Sequence, residues 1–265
     1  MHSLFTTVDT LDTSTYLHSV VQPNNSFDLQ WVMPVTGLTD NGRTISPPAF
    51  DKNYGIYLTI DASGQLNTGA PPDYHSINVT LWADPKNDVG TASSTVQNGI
   101  TRSGSVSNDI VLATGTLISG TMSINPSTMV RMATYVEQLT PTLDGTILLH
   151  GSIQQGDQLT EKFVTQPSEF QAGAQPDGTT VDLVNGGAAT VTLSHADGSP
   201  ATISIPTESL LKSALTFLYH PGGSHRDTED FVYRGEGRSR GSANDLAHET
   251  SRRSVEEASS RPRGH

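Results

Sequence analysis

Apolar side chains recur at every second position through most of the first 206 residues, and this spacing limits the fold more than any other feature of the chain. From Ser26 to Val35, Phe27, Leu29, Trp31 and Met33 alternate with Asp28, Gln30 and Val32. Successive strand side chains point to opposite faces, so the large groups share one face, read here as core. Ser76 to Ala83 repeats the pattern, with Ile77, Val79 and Leu81 on one face and Asn78, Thr80 and Trp82 on the other. Comparable runs are read at 56–60, 110–124, 129–139, 145–153, 159–165, 180–184, 189–194 and 201–205. Between them, Asp61-Ala62-Ser63-Gly64 and Ala196-Asp197-Gly198-Ser199 carry the Asp and Gly of tight turns. Gly115 and Gly120 interrupt one run and are read as bulges or a bend.

Composition agrees. The chain holds 33 Thr and 29 Ser but only 4 Lys, and Thr suits half-buried strand surfaces. Many short strands with turn signals every ten or so residues predict an all-β fold: an antiparallel β-sandwich or jelly-roll-like domain of about ten strands over 1–206. Pro206-Thr207-Glu208 reads as a helix start with Thr207 as N-cap, so a short C-terminal helix is expected over 207–221. From Gly222 the chain is rich in Gly, Ser and Arg with few large apolar groups, and 222–265 is expected to be a disordered tail.

Charge divides the same way. Residues 1–212 carry 7 basic and 19 acidic side chains, whereas 213–265 carry 8 of each, so the net charge of −12 belongs to the body. An acidic body argues against nucleic acid or an anionic membrane as partner, since both need a basic surface. The helix at 207–221 is too short to span a bilayer. With no cysteine in the chain, disulfides, thiol catalysis and thiolate metal sites fall away.

Motifs for catalysis are scarce. No Gly-x-Ser-x-Gly, phosphate-binding loop or His-Glu-x-x-His is present. His2, His18, His75, His150 and His195 are scattered singly. Asp144-Gly145-Thr146 and Asp177-Gly178-Thr179 read as turns. Glu is rare in the body, with only Glu137, Glu161, Glu169 and Glu208, which leaves a glycosidase carboxylate pair as a minor reading. The best chemical candidate is the loop after the Trp82 strand. There Asp84, Asn87 and Asp88 offer hard oxygen ligands of the kind that hold Ca²⁺, although a plain solvated turn explains the same letters.

Three segments carry a family resemblance: Tyr54-Gly55-Ile56-Tyr57, then Ile77-Asn78-Val79-Thr80-Leu81-Trp82-Ala83-Asp84-Pro85-Lys86-Asn87-Asp88, then Asp109-Ile110-Val111-Leu112-Ala113-Thr114-Gly115-Thr116-Leu117-Ile118-Ser119-Gly120. In order and spacing they resemble the flocculation-associated PEP-CTERM exoproteins of Gram-negative bacteria. The resemblance implies a secreted or cell-surface β protein of the extracellular matrix, associated with exopolysaccharide, flocculation, adhesion and biofilm. Met1-His2-Ser3-Leu4 shows no signal peptide, and no Pro-Glu-Pro sorting end follows. The expectation is therefore a truncated start and a replaced end after Lys212.

Two functions follow as expectations. The first is a non-catalytic matrix protein, with extracellular polysaccharide or other matrix proteins as partners. The second is a polysaccharide-binding module, Ca²⁺-assisted or not, in which Trp82, Tyr57 and Tyr74 present flat rings to sugar faces.

Overall fold

The computed structural model describes residues 3–67, 72–88, 92–211 and 214. The chain separates into units Met1–Gly222 and Gly223–His265, and the second lies outside the described residues, as does the tail expected at 222–265.

Fourteen strands, one complete α-helix and helical residues at 210, 211 and 214 are present among the described residues. The wall strands are β2 (Thr10–Val21), β3 (Ser26–Asp40), β5 (Gly55–Gln65), β6 (Asp73–Asp84), β9 (Ile110–Ile124), β10 (Arg131–Pro141), β11 (Gln158–Thr165) and β13 (Thr180–Ser194). Each pairs antiparallel with the next in this order, and β13 returns to pair with β2 through Val191 and Leu11. The ring closes because Gln158–Val164 of β11 pairs with Ser194–Ala188 of β13. The result is an eight-stranded up-and-down barrel, an all-antiparallel architecture in which closure removes the sheet edges. This replaces the sandwich or jelly roll expected from sequence. Alternation says that one face is buried, but a sheet closed on itself and a sheet packed on a second one bury that face equally well.

Short strands decorate the barrel. β1 (Phe5–Val8) pairs with β14 (Ile203–Pro206), β4 (Arg43–Ile45) extends β3, and β12 (Phe170–Ala174) pairs with β13 where β11 has ended. β7 (Ser93–Thr95) and β8 (Gly99–Thr101) form a hairpin on the outer wall. There Ala92 covers Val32 and Tyr57, with Tyr16, Trp82 and Ile100 packed around them.

The two barrel ends differ. At one end the interior is filled by Leu11, Leu38, Leu81, Leu139, Leu159 and Leu193, all fully or nearly fully buried. The plug of this end includes α1 (Leu143–Leu148) and the β1–β14 pair, while Tyr54 donates its hydroxyl to the Pro206 carbonyl at 2.5 Å. At the other end β9 pairs with β6 only as far as Thr116, and beyond it Leu117–Ile124 pairs with β10 alone. The wall therefore parts between β6 and β9, and the barrel is open there.

Four local readings change, one of them being that Asp61-Ala62-Ser63-Gly64 is no turn but lies inside β5, paired with both β3 and β6. The run at 145–153 is not a strand: Thr142 caps α1 by accepting from the Gly145 N–H at 2.9 Å, and Asp144 sits in the first turn. The runs at 180–184 and 189–194 are one strand, β13, in which Gly186 takes φ +87° and a bulge absorbs the interruption. Thr207 does not act as a helix N-cap. Its N–H donates to the Leu4 carbonyl and its hydroxyl to the Ser3 carbonyl, which prolongs the β1–β14 contact. Of the helix expected at 207–221, Leu210, Leu211 and Ala214 are described and helical, with Leu210 in the core. No described helix is long and apolar enough to cross a membrane.

Candidate functional site: the open end of the barrel

Alternation aims one residue in two at the barrel axis. On β2 these are Leu11, Thr13, Thr15, Leu17 and Ser19, all buried. On β10 they are Arg131, Ala133, Tyr135, Glu137 and Leu139, which descend from the mouth to the packed end. Gly120 faces Tyr135 across the β9–β10 pair, and a Cβ on it would stand 2.6 Å from the Tyr135 ring. The glycine read from sequence as a bend is what lets this ring lie flat in the interior.

The open end holds a cavity of about 180 Å³. Its walls include Leu17, Phe27, Leu29 and Val184, and its polar groups are few, chiefly Thr15, Ser19, Thr165 and the Arg131–Asp182 pair. Arg131 lies over the Phe170 ring, 3.1 Å from its centroid, which holds the guanidinium at the rim. Burial lowers the Arg131 pKa, and the charge of Asp182 acts against that shift. Asp182 is raised by burial, with Arg131 pulling the other way. Desolvation outweighs attraction for both partners.

Three aromatic rings form the cavity floor. Trp31 stacks on Phe163 at 4.6 Å and 22°, and Tyr135 meets both rings edge-on at 5.5 and 5.6 Å. Beneath lies a second chamber of about 10 Å³, sharing Leu29, Trp31, Tyr74 and Tyr135 with the cavity above and adding Glu137. A space of this size holds roughly one water-sized group. Glu137 and Glu161 are 1% and 0% exposed, and none of their four carboxyl oxygens has a hydrogen-bond partner. The Trp31 indole N–H is likewise buried without a partner. Burial pushes Glu137 up to about 8, and burial together with the charge of Glu137 raises Glu161 well above the ordinary carboxylate range.

From sequence these two glutamates were named only among the four from which a glycosidase pair could be drawn, not as a buried pair. The signal was present, because Tyr135-Val136-Glu137-Gln138-Leu139 and Leu159-Thr160-Glu161-Lys162-Phe163 each put the acid in phase with the apolar residues. An acid in register with core positions is expensive unless it has a use.

The residues that were singled out lie apart. Tyr74 lines both chambers of the barrel. Tyr57 is buried on the outer wall, donates its hydroxyl to Asp109 and carries Arg102 over its ring. Trp82 is half-buried beside it, stacked at 6.0 Å and 9°, with its N–H donated to the Thr59 hydroxyl at 2.9 Å. Asp84 is buried and accepts from the Lys86 N–H at 3.1 Å, and Asn87 closes the turn at φ +50°. One Asp88 oxygen is buried without a hydrogen-bond partner. Among the described residues no three or more His, Cys, Asp or Glu side chains are grouped to hold a metal ion.

Comparison with protein-family models, curated proteins and solved structures gives no match.

Proposed function

We propose that the chain is a binding protein that takes a small, mostly apolar molecule into the open end of its barrel. The observation that carries this is the cavity itself: about 180 Å³, largely apolar, floored by aromatic rings and open where β6 and β9 part. An apolar cavity of ~150 Å³ accepts a benzene-sized ring, so the interior fits one ring while the rest of the molecule emerges between the strands. Barrels of about eight strands have an interior just wide enough to hold one small ligand. Saturable one-to-one binding of the neutral dye N-phenyl-1-naphthylamine, followed by its fluorescence, tests the reading. Ala133 lines the cavity, and Ala133→Trp should weaken the dye at least about tenfold by filling it. Unsaturable binding, or equal binding by the variant, would refute the reading.

The sequence resemblance supports a second reading, a non-catalytic matrix protein that binds extracellular polysaccharide. One observation favours it: Trp82 lines a shallow outer groove with Gln30, Thr59, Asp61 and Arg102, an aromatic edge among hydrogen-bonding groups. Retention of the chain on immobilised neutral exopolysaccharide should then fall at least about tenfold in Trp82→Ala. Retention unchanged by that substitution would remove the groove from consideration.

A further inference from the structure

The deep chamber has a feature that apolar binding does not use. Glu137 lines it, and Glu161 on β11 lies behind, close enough for the charge of one to act on the other; neither carboxyl has a hydrogen-bond partner, and no described cation faces them. Arg131 is two inward positions above Tyr135 and is engaged by Phe170 and Asp182 at the rim. Lys162, next to Glu161 in sequence, is on the opposite face of β11 and exposed. The titratable groups on the interior face around the pair are Tyr135 beside Glu137 on β10 and Tyr74 on β6. β3, β5 and β9 contribute only Leu29, Trp31, Ile60, Ala62 and Leu117 to the chamber. Replacing an unpaired buried acid by an apolar residue normally stabilises a protein, so packing gives no reason for two of them to lie side by side.

We propose that this chamber receives the ammonium group of a lipophilic primary amine, with Glu137 as its counter-charge, Glu161 coupled to Glu137 from behind, and Trp31, Tyr74 and Tyr135 as the aromatic wall around it. The inference rests on the cavity reading above and assigns the chemistry of the ligand's inner end. The ring or chain of the amine occupies the apolar cavity, and its nitrogen passes the aromatic floor into a space with room for one such group. Aromatic faces attract a desolvated cation, and a carboxylate beside them neutralises it. In the free protein burial favours the protonated form of the pair. Binding of R–NH3⁺ releases one proton from the pair to solvent and leaves a carboxylate against the ammonium, so charge and atoms balance without a further reactant.

The test compares 4-butylbenzylamine with 4-butylbenzyl alcohol, equal in shape and differing in the terminal group, each displacing N-phenyl-1-naphthylamine from the full chain. The amine should bind at least about tenfold tighter at pH 7.5. Its affinity should rise up to about tenfold per pH unit from pH 6 to 7.5, as the pair gives up its proton more easily, while the alcohol's stays constant. In Glu137→Gln, which keeps the shape, the preference should disappear and the alcohol should bind as before. Equal binding of both probes to the native chain overturns the proposal and leaves the cavity reading intact. A preference that survives in both Glu137→Gln and Glu161→Gln overturns it too. Binding of neither probe, with no saturable dye binding, refutes the cavity reading itself. Should Glu137→Gln not fold, the pH series on the native chain decides alone, and an amine affinity flat over that range counts against the proposal.

Discussion

Between pH 5 and 8 the chain should lose stability as the pH rises, by about 1.4 kcal/mol per pH unit for each proton that the folded state keeps and the unfolded state has released. The cause is the glutamate pair. Unfolded, Glu137 and Glu161 titrate near 4.5; folded, Glu137 is held up to about 8 by burial and Glu161 is raised by burial and by its neighbour. A raised carboxyl contributes its full stability below its unfolded pKa and loses it as the pH climbs through the folded value. The decline therefore starts near 4.5 and runs to about 8 for Glu137, and Glu161 keeps the slope going in the same direction. Asp109 and Asp182, also raised chiefly by burial, act with the same sign from about 3.8 upward. Asp177 and Asp197, exposed and lowered by hydrogen bonds to Thr179 and Ser199, act oppositely below their ordinary 3.8, and His18, lowered by burial, opposes the decline below its ordinary 6.5 with one proton against the pair's two. Urea unfolding at pH 5, 6, 7 and 8 reads the slope. Glu137→Gln and Glu161→Gln should each flatten it and raise stability at pH 8. Stability that is level or rising over this range would mean that the buried carboxyls are ionised and paired, against the account given of them.

The same residues explain how much of this protein could be read from its letters. β3 and β6 were legible because Phe27, Leu29, Trp31 and Val79, Leu81 show clean alternation. β2 was not resolved as a strand, because three of its inward positions are Thr13, Thr15 and Ser19, and hydroxyl groups near a cavity hide the apolar phase. The glutamates were hidden in the same way: each is a polar letter at a core position. α1 escaped because six residues are too few to display a 3.6-residue period. Closure into a barrel was not legible at all. It depends on β11 pairing with β13 across some 30 residues that include β12, a contact no local pattern records. Trp82 was rightly placed on the face opposite Ile77, Val79 and Leu81, but its exposure is decided by Tyr57 and Ile100, which reach it only in the fold.

Gly145→Ala should be the most damaging glycine-to-alanine change among the described residues, costing about 3 kcal/mol or more. Gly145 lies in the first turn of α1, where the helix presses on β9, and a Cβ there would stand 1.8 Å from the Leu112 carbonyl oxygen. That oxygen is already engaged, accepting from the Thr142 N–H at 3.0 Å and its hydroxyl at 3.2 Å. The Thr142 hydroxyl in turn also donates to the Val111 carbonyl at 2.5 Å. Backbone meets backbone, so no side-chain rotation relieves the clash, and α1 must lift from the barrel end it helps to plug. Gly151→Ala is the control. Gly151 takes φ +68° with nothing within 4 Å of an added Cβ, so its cost is the left-handed conformation alone, about 1–2 kcal/mol. Urea midpoints at pH 6 separate a steric effect from a conformational one. Because Gly145 lies at the packed end and the cavity at the other, the folded fraction of Gly145→Ala should bind N-phenyl-1-naphthylamine with native affinity. A loss of dye affinity in that fraction would show that the packed end governs the width of the open one, and that the two ends of this barrel are not independent.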